Sequence, residues 1–261
     1  MAIRKTTKKP PRVTKGRLFT KDKAKGPKVV PALELRQVVR TYQSAVPVKA
    51  LRGVSLSIAR GEMVAIMGAS GSGKTTLLNI AGLLDTPDQG SVRYDGMDIA
   101  GLKRRQLIRF RQEQVGLVFQ QKNLIPTLTA LENVFMPFRY KRGKKREQLE
   151  QATEALRLVG LIDRADHLPN RLSGGEQQRV AIARALVLNP AVVLADEPTG
   201  ELDTKTGQQV VDLMLELNER TNQSFLIVTH NEDVAKQCDR TIHMQDGQVV
   251  EERKHRRRKR K

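Results

Sequence analysis

A chain of 261 residues with 39% hydrophobic content can bury one sizeable core, and its single cysteine, Cys238, excludes an internal disulfide and fits a reducing compartment. No window nears the roughly 18 consecutive apolar residues of a membrane-spanning helix, the first thirty residues lack the apolar centre of a signal peptide, and the four histidines show no metal-ligand spacing. The net charge of +19 would point to nucleic acid if it covered a folded face, but residues 1–30 hold 11 Lys/Arg against one acid and residues 251–261 hold 8 against 2, so the region between is nearly neutral.

Residues 1–30 are rich in Lys, Thr and Pro and poor in large apolar side chains, so they cannot offset the entropy of ordering and are predicted to be disordered. Such an arm is solvated or drawn to anionic lipid, at about 1 kcal/mol per charge near the surface, and a transit peptide is the weaker alternative, since Lys outnumbers Arg and no amphipathic helix is evident. From Leu33 the pattern turns β-like: Leu33 and Leu35, then Val54, Leu56 and Ile58, alternate with polar neighbours. Tyr42 lies between these stretches, either as a half-buried strand aromatic or as a platform for a nucleotide base. Gly61 and Glu62 turn the chain into Met63–Met67, an apolar run suited to a buried strand.

The next stretch, Gly68 to Thr75, reads GASGSGKT and is a phosphate-binding loop. Gly68, Gly71 and Gly73 let backbone amides turn inward beside Ala69, Ser70 and Ser72. Lys74 stands where an ammonium reaches the β and γ phosphates, and Thr75 where a hydroxyl completes the shell of Mg²⁺. A helix is predicted over Thr76 to Leu84, its N-terminal dipole facing the anion.

Beyond it, Asp95-Gly96 marks a hairpin within 91–99, and residues 115–119 (VGLVF) form a strand candidate ending at Gln120. Helical patterning follows: Leu149, Ala152, Leu156 and Val159 fall on one face and Gly160 supplies a stop, while the basic cluster at 139–146 reads as a solvated face. Ser173 before Gly174 and Gly175, in LSGGEQQR at 172–179, opens another helix and is a second potential anion site. One phosphate loop seldom needs two such sites for one ligand, so the second is expected to serve a ligand held by another copy of the chain.

Residues 192–195 run straight into Asp196 and Glu197, and two acids at a buried strand end are costly without a cation or hydrogen bonds. In a phosphate-loop protein Asp196 can hold Mg²⁺ through its water shell and Glu197 can orient or deprotonate the attacking water. A further strand at 225–228 ends at Thr229-His230, placing His230 where ligands of an α/β sheet bind, as a contact to the γ-phosphate. Asp246-Gly247 joins a last hairpin, after which the fold is expected to end near 250, with 251–261 as a second basic tail. Strands separated by helical bands predict a mostly parallel, multilayer α/β core.

Five motifs now stand in order: GASGSGKT, Gln120, LSGGEQQR, VVLADEP at 192–198 and His230. Together they resemble the nucleotide-binding subunit of an ABC transporter, over residues 33–250, and the segments 121–134 and DEPTGELD look like the lipoprotein-release, macrolide-export (MacB-like) and cell-division (FtsE-like) group. The resemblance implies a P-loop NTPase (RecA-like) core with an N-terminal antiparallel β subdomain and a helical subdomain inserted at about 121–186, flanked by basic tails at 1–32 and 251–261. It implies ATP as ligand, Mg²⁺ arranged by Thr75, Gln120 and Asp196, Glu197 as general base, His230 as γ-phosphate sensor, Thr76 among the nucleotide contacts and Tyr42 stacked on adenine. Ser173, Gly174, Gly175 and Glu176 would act on the ATP of a second subunit in a homodimer or pseudo-symmetric pair, with Asp203 in the dimer-crossing loop. It further implies membrane permease partners received near Gln120, at the cytoplasmic face of the plasma or inner membrane. The group commonly has Asn where this chain has Glu201, and an extra carboxylate there is expected to repel Glu197 and the phosphates. The alternatives are a regulatory ATPase that signals to an envelope enzyme, as in the cell-division type, and a soluble ATPase acting on nucleic acid or the ribosome. The second usually carries a coiled-coil insertion or a second ATPase unit, neither of which is present here.

Overall fold

Alternation in the first strands is realised as pairing. In a computed structural model describing residues 30–43 and 45–255, β1 (Leu33–Tyr42) and β2 (Val48–Ile58) run antiparallel, with Leu33 opposite Ile58 and Leu35 opposite Leu56, so their apolar side chains share one face. After β3 (Met63–Met67), helix α1 (Lys74–Ala81) begins at Lys74 rather than Thr76 and stops at Gly82. The hairpin at Asp95-Gly96 is formed by β4 (Gln89–Tyr94) and β5 (Met97–Asp98), and β4 also pairs with β1. These strands make an antiparallel sheet in the order β2-β1-β4-β5. Helix α2 (Arg104–Gln114), with no buried residue, leads to β6 (Val115–Val118). Three α-helices follow, α3 (Ala130–Phe135), α4 (Lys145–Leu158) and α5 (Gly174–Leu186), with short 3-10 turns between them. The chain then returns through β7 (Val192–Asp196), α6 (Thr204–Thr221), β8 (Ser224–Val228), α7 (Glu232–Gln237), β9 (Arg240–Gln245) and β10 (Gln248–Lys254).

The second sheet has the order β10-β9-β3-β8-β7-β6, parallel except for the β9–β10 pair. β3 is apolar throughout, and β7 and β8 are apolar apart from Asp196 and Ser224 at one end of each, because both faces of these strands are covered. Successive residues go to opposite cores: Val64, Ile66, Leu194 and Leu226 face α1 and the antiparallel sheet, whereas Ala65, Val193, Phe225 and Ile227 face α5, α6 and α7. Helices α3 and α4 join the second of these cores through Val134, Ala152 and Leu156, so the inserted helices share the sheet's own interior. Each buried Val, Leu, Ile or Phe among them contributes roughly 1.5–3 kcal/mol by leaving water. Among the described residues no helix is long and apolar enough to cross a membrane.

Two local expectations are corrected. Leu149, placed on the apolar face of α4, is 43% exposed, because the buried part of that helix begins at Ala152, beyond its first turn. The fold also continues past 250: β10 runs to Lys254, and the His255 amide donates to the Asp239 carbonyl at 2.8 Å. Its side chains are mostly exposed and charged, so burial leaves no mark on the sequence; backbone pairing with β9 and the ion pair from Glu252 to Arg240 at 3.1 Å hold it. The basic cluster at 139–146 is exposed, as predicted. Residues 1–29 and 256–261, which carry most of the two predicted basic tails, lie outside the described residues. Deleting 256–261 should leave the melting temperature unchanged in a thermal scan, whereas deleting 251–261 should lower it by about 2–4 °C, the shift produced by about 1 kcal/mol in a domain of this size.

Candidate nucleotide-binding site

Parallel register brings the predicted site residues together. Ile66 and Asp196 both lie opposite Val228, and Val118 lies opposite Ala195, so β3, β8, β7 and β6 end along one edge of the sheet. The residues that follow those ends are Gly68, His230, Glu197 and Gln120. Cross-strand amides tie the exits to one another: Thr229 donates to the Ile66 carbonyl at 3.1 Å and Glu197 to that of Val228 at 2.9 Å.

The loop from Gly68 to Thr75 wraps the start of α1. Gly73 occupies the helix N-cap at φ 99°, where a Cβ would also sit 2.6 Å from the Ala50 carbonyl, so only glycine fits. No side chain caps α1, and the first-turn amides of a helix have no intrahelical partners, which leaves a pole suited to an anion. Lys74 Nζ donates to the carbonyls of Gly68 and Ala69, each at 2.8 Å, which keeps the ammonium over the loop. A cleft of about 830 Å³ opens here, lined by Gly68, Ser70, Gly71 and Gly73 together with Lys74, Thr75 and Thr76. Ala69 and Ser72 lie outside its lining and brace the loop instead, through a bond from the Ser72 amide to the Ala69 carbonyl at 3.2 Å.

Across the cleft stand Tyr42, Asp196, Glu197 and His230, together with Lys49 and Arg52, which sequence reasoning did not single out, and Asp246 and Gly247, which it read only as a hairpin turn. Gly247 bonds the Ser72 carbonyl at 3.1 Å and accepts from Arg52 at 2.9 Å, so the β9–β10 turn buttresses the phosphate loop. Two added cations facing a phosphate loop are a signal legible only once β2 is known to pass beside it. Asp196 is half-buried, and burial first, then the Glu197 charge, push its carboxyl above the usual range while Lys74 opposes them. Glu197 takes a left-handed backbone, φ 42°, directly after the strand, and His230 Nδ1 lies 3.3 Å from its Oε2. Gly200 packs where a Cβ would be 2.8 Å from Gln120 Nε2 and 3.3 Å from Glu197 Oε2, so the loop after Glu197 lies against Gln120. Thr75 and Asp196, which line the cleft, bring hard oxygen donors of the kind Mg²⁺ takes, and a cation would relieve the Glu197 repulsion that helps raise Asp196, whereas Gln120 lies outside the lining, against Gly200.

The second anion site is elsewhere. Ser173, Gly174, Gly175 and Glu176 begin α5 and none lines the cleft. Ser173 and Glu176 form a reciprocal cap: the Ser173 amide donates to Glu176 Oε2 at 2.8 Å and the Glu176 amide to Ser173 Oγ at 3.3 Å, which leaves the serine O–H to donate outward. A Cβ on Gly175 would fall 2.4 Å from Thr206 Cγ2, so this pole packs on the start of α6, whose N-cap is Asp203. Asp203 accepts from the Thr206 amide at 3.0 Å, and hydrogen bonding to Thr206 holds its carboxyl below the usual range. Glu201 does not stand as a bare extra charge: it forms an ion pair with Lys122, two positions after Gln120 in the chain, which offsets the repulsion expected from sequence.

A phosphate loop, a strand-end acid pair and a histidine on one sheet edge make a nucleotide site, and the family model for the ABC transporter matches residues 51–200. The chain belongs to the ABC transporter family. It binds ATP and is an ATPase of the cassette fold. The lipoprotein-releasing system ATP-binding protein LolD of Bacteroides thetaiotaomicron is 48% identical, over 83% of this chain and 98% of that protein. A macrolide export ATP-binding/permease protein MacB of Rhodopirellula baltica is 47% identical over 84% of this chain, which spans only 32% of that longer protein. Among solved structures, a dimeric post-hydrolysis state of the ATP-binding cassette MJ0796, bound to ADP and Pi, superposes with a TM-score of 0.77 at 46% identity, covering 86% of this chain and 99% of that one. MJ0796 itself comes from Methanocaldococcus jannaschii. In this ABC ATPase, Lys122→Ala should lower turnover by leaving Glu201 uncompensated beside the catalytic edge, and adding Glu201→Gln should restore it. Glu201 is exposed although Lys122 is only partly so, and such a pair is worth about 1 kcal/mol or less, so melting temperatures should shift by only a few degrees; steady-state phosphate release by the three proteins checks the effect on turnover.

Proposed function

We propose that two copies of this ABC ATPase close head to tail around two ATP molecules and power a membrane permease complex that moves lipoproteins or other envelope-directed cargo. The observation that carries this reading is the separation of the two anion poles: the phosphate loop lines the cleft, while Ser173, Gly174 and Gly175 open away from it beside Asp203. A single chain therefore covers its nucleotide on one side. The dimeric form of MJ0796 and the lipoprotein-releasing and macrolide-export names of the relatives favour the same reading.

Within the cleft, Lys74 and the α1 amides bind the β and γ phosphates, and Tyr42 stacks on adenine. Thr75, Asp196 and Gln120 would hold Mg²⁺, which neutralises charge on the phosphate oxygens when bound. Glu197 orients the attacking water and accepts its proton, and His230, held against Glu197, faces the γ-phosphate. Glu176 fixes the cap from which Ser173 donates to the ATP of the other copy. Next to Gln120, an apolar groove of about 340 Å³ lined by Phe119, Met136, Pro137 and Arg184 receives a helical segment of the permease at the cytoplasmic face. The basic arms beyond the described residues add contact with anionic lipid.

Glu197→Gln should reduce steady-state hydrolysis by at least about a hundredfold, the scale of losing a positioned base, while ATP converts the variant to a dimer in size-exclusion chromatography with light scattering. A variant that hydrolyses ATP normally, or stays monomeric with ATP bound, would overturn the reading.

A further inference from the structure

We propose that Arg40 and Asp85 are positioning residues for the nucleobase: they lock the Tyr42 ring so that ATP is held by its base as well as by its phosphates. The inference rests on Tyr42 acting as the base platform. Tyr42 ends β1 at the rim of the cleft and is 37% exposed, where a free phenol would sample several rotamers. Two contacts remove that freedom. Its hydroxyl donates to Asp85 Oδ2 at 2.9 Å, and the Arg40 guanidinium lies 5.0 Å from the ring centroid, covering one face.

Arg40 is in turn fixed by a fork of carboxylates. Its Nε and one terminal nitrogen bond both oxygens of Asp85, at 3.0 and 2.8 Å, and the other terminal nitrogen bonds Asp88 Oδ1 at 2.7 Å. Asp88 closes the ring of contacts by accepting from the Thr41 amide at 2.6 Å, next to Tyr42 in the chain. Neither Arg40 nor either aspartate lines the cleft, so the network acts on the ligand only through the tyrosine. A guanidinium on one face also polarises the ring that a base meets on the other. A lysine could keep the charge but not the planar bidentate fork, so it is a graded probe of the same role.

The test compares full-length wild type with Arg40→Ala, Arg40→Lys, Tyr42→Ala and the double variant Arg40→Ala/Tyr42→Ala, by calorimetric titration with ATP and with inorganic tripolyphosphate. Tripolyphosphate reads the phosphate loop alone and reports on folding. Arg40→Ala is expected to weaken ATP by roughly three- to tenfold with tripolyphosphate unchanged, Arg40→Lys to lose less, and the double variant to lose no more than Tyr42→Ala. Unchanged ATP affinity in Arg40→Ala, when Tyr42→Ala does weaken it, would overturn the role of Arg40 and leave base stacking standing. Tyr42→Ala without effect would overturn the stacking itself, and with it the proposal. Loss of tripolyphosphate binding by Arg40→Ala, or additive losses in the double variant, would assign Arg40 a general structural role and overturn it too.

Discussion

Everything chemical in this chain depends on the register of four parallel strands. With Ile66 and Asp196 both opposite Val228, three strand ends are level to within one residue, and β6 follows beside them. A parallel strand cannot be reached by a short hairpin, so each exit must turn out of the sheet, and here the exits are the phosphate loop, Glu197, His230 and Gln120. A one-residue slip of β7 would exchange the two cores and invert Asp196 relative to the loop. The alternating burial of Val193 and Leu194 in different cores is therefore what fixes the position of the acid after them.

That position is electrostatically uncomfortable, and the discomfort is part of the site's chemistry. Asp196 is raised by burial and by Glu197, and only Lys74 opposes this. Lys74 meanwhile donates to two loop carbonyls, and a bound phosphate would compete with them for the ammonium protons. Polar groups held this way reorganise little when a triphosphate and its cation arrive, since repulsion among the acids and the ammonium's need for an anion are relieved by the same ligand. Glu197 adds backbone strain at φ 42°, stabilised by its amide bond to Val228 and by the packing of Gly200 against Gln120.

The sequence makes legible those features whose residue types are dictated by backbone or charge. Asp196, Glu197 and His230 are legible because each follows an apolar run at a strand end, Lys74 because it closes the glycine-rich GASGSGKT loop, and the antiparallel hairpins because Asp-Gly marks them. Features held by pairing rather than burial were not. β10 is charged on both faces, so nothing in its composition separates it from a solvated tail. Helix α2 has no buried residue and hence no apolar stripe strong enough to announce it. Lys49 and Arg52 look like ordinary exposed strand residues until β2 is folded beside the phosphate loop. The Lys122–Glu201 pair joins residues far apart in the chain, so the carboxylate reads as an unrelieved charge until the two loops meet.

The same packing that leaves the cleft incomplete makes its completion conditional. Gly175 is pressed against Thr206, so the α5 pole is anchored to the start of α6 and to Asp203. Because α5 and α6 both build the core that also contains Ala195, the pole cannot swing into its own cleft without opening that core. Moving several buried aliphatic side chains into water would cost far more than the few hydrogen bonds a serine and two amides return to a phosphate. In the proposed cycle a second copy supplies those donors without any such cost, and the energetics of the core, rather than the phosphate loop, make ATP closure a property of two chains.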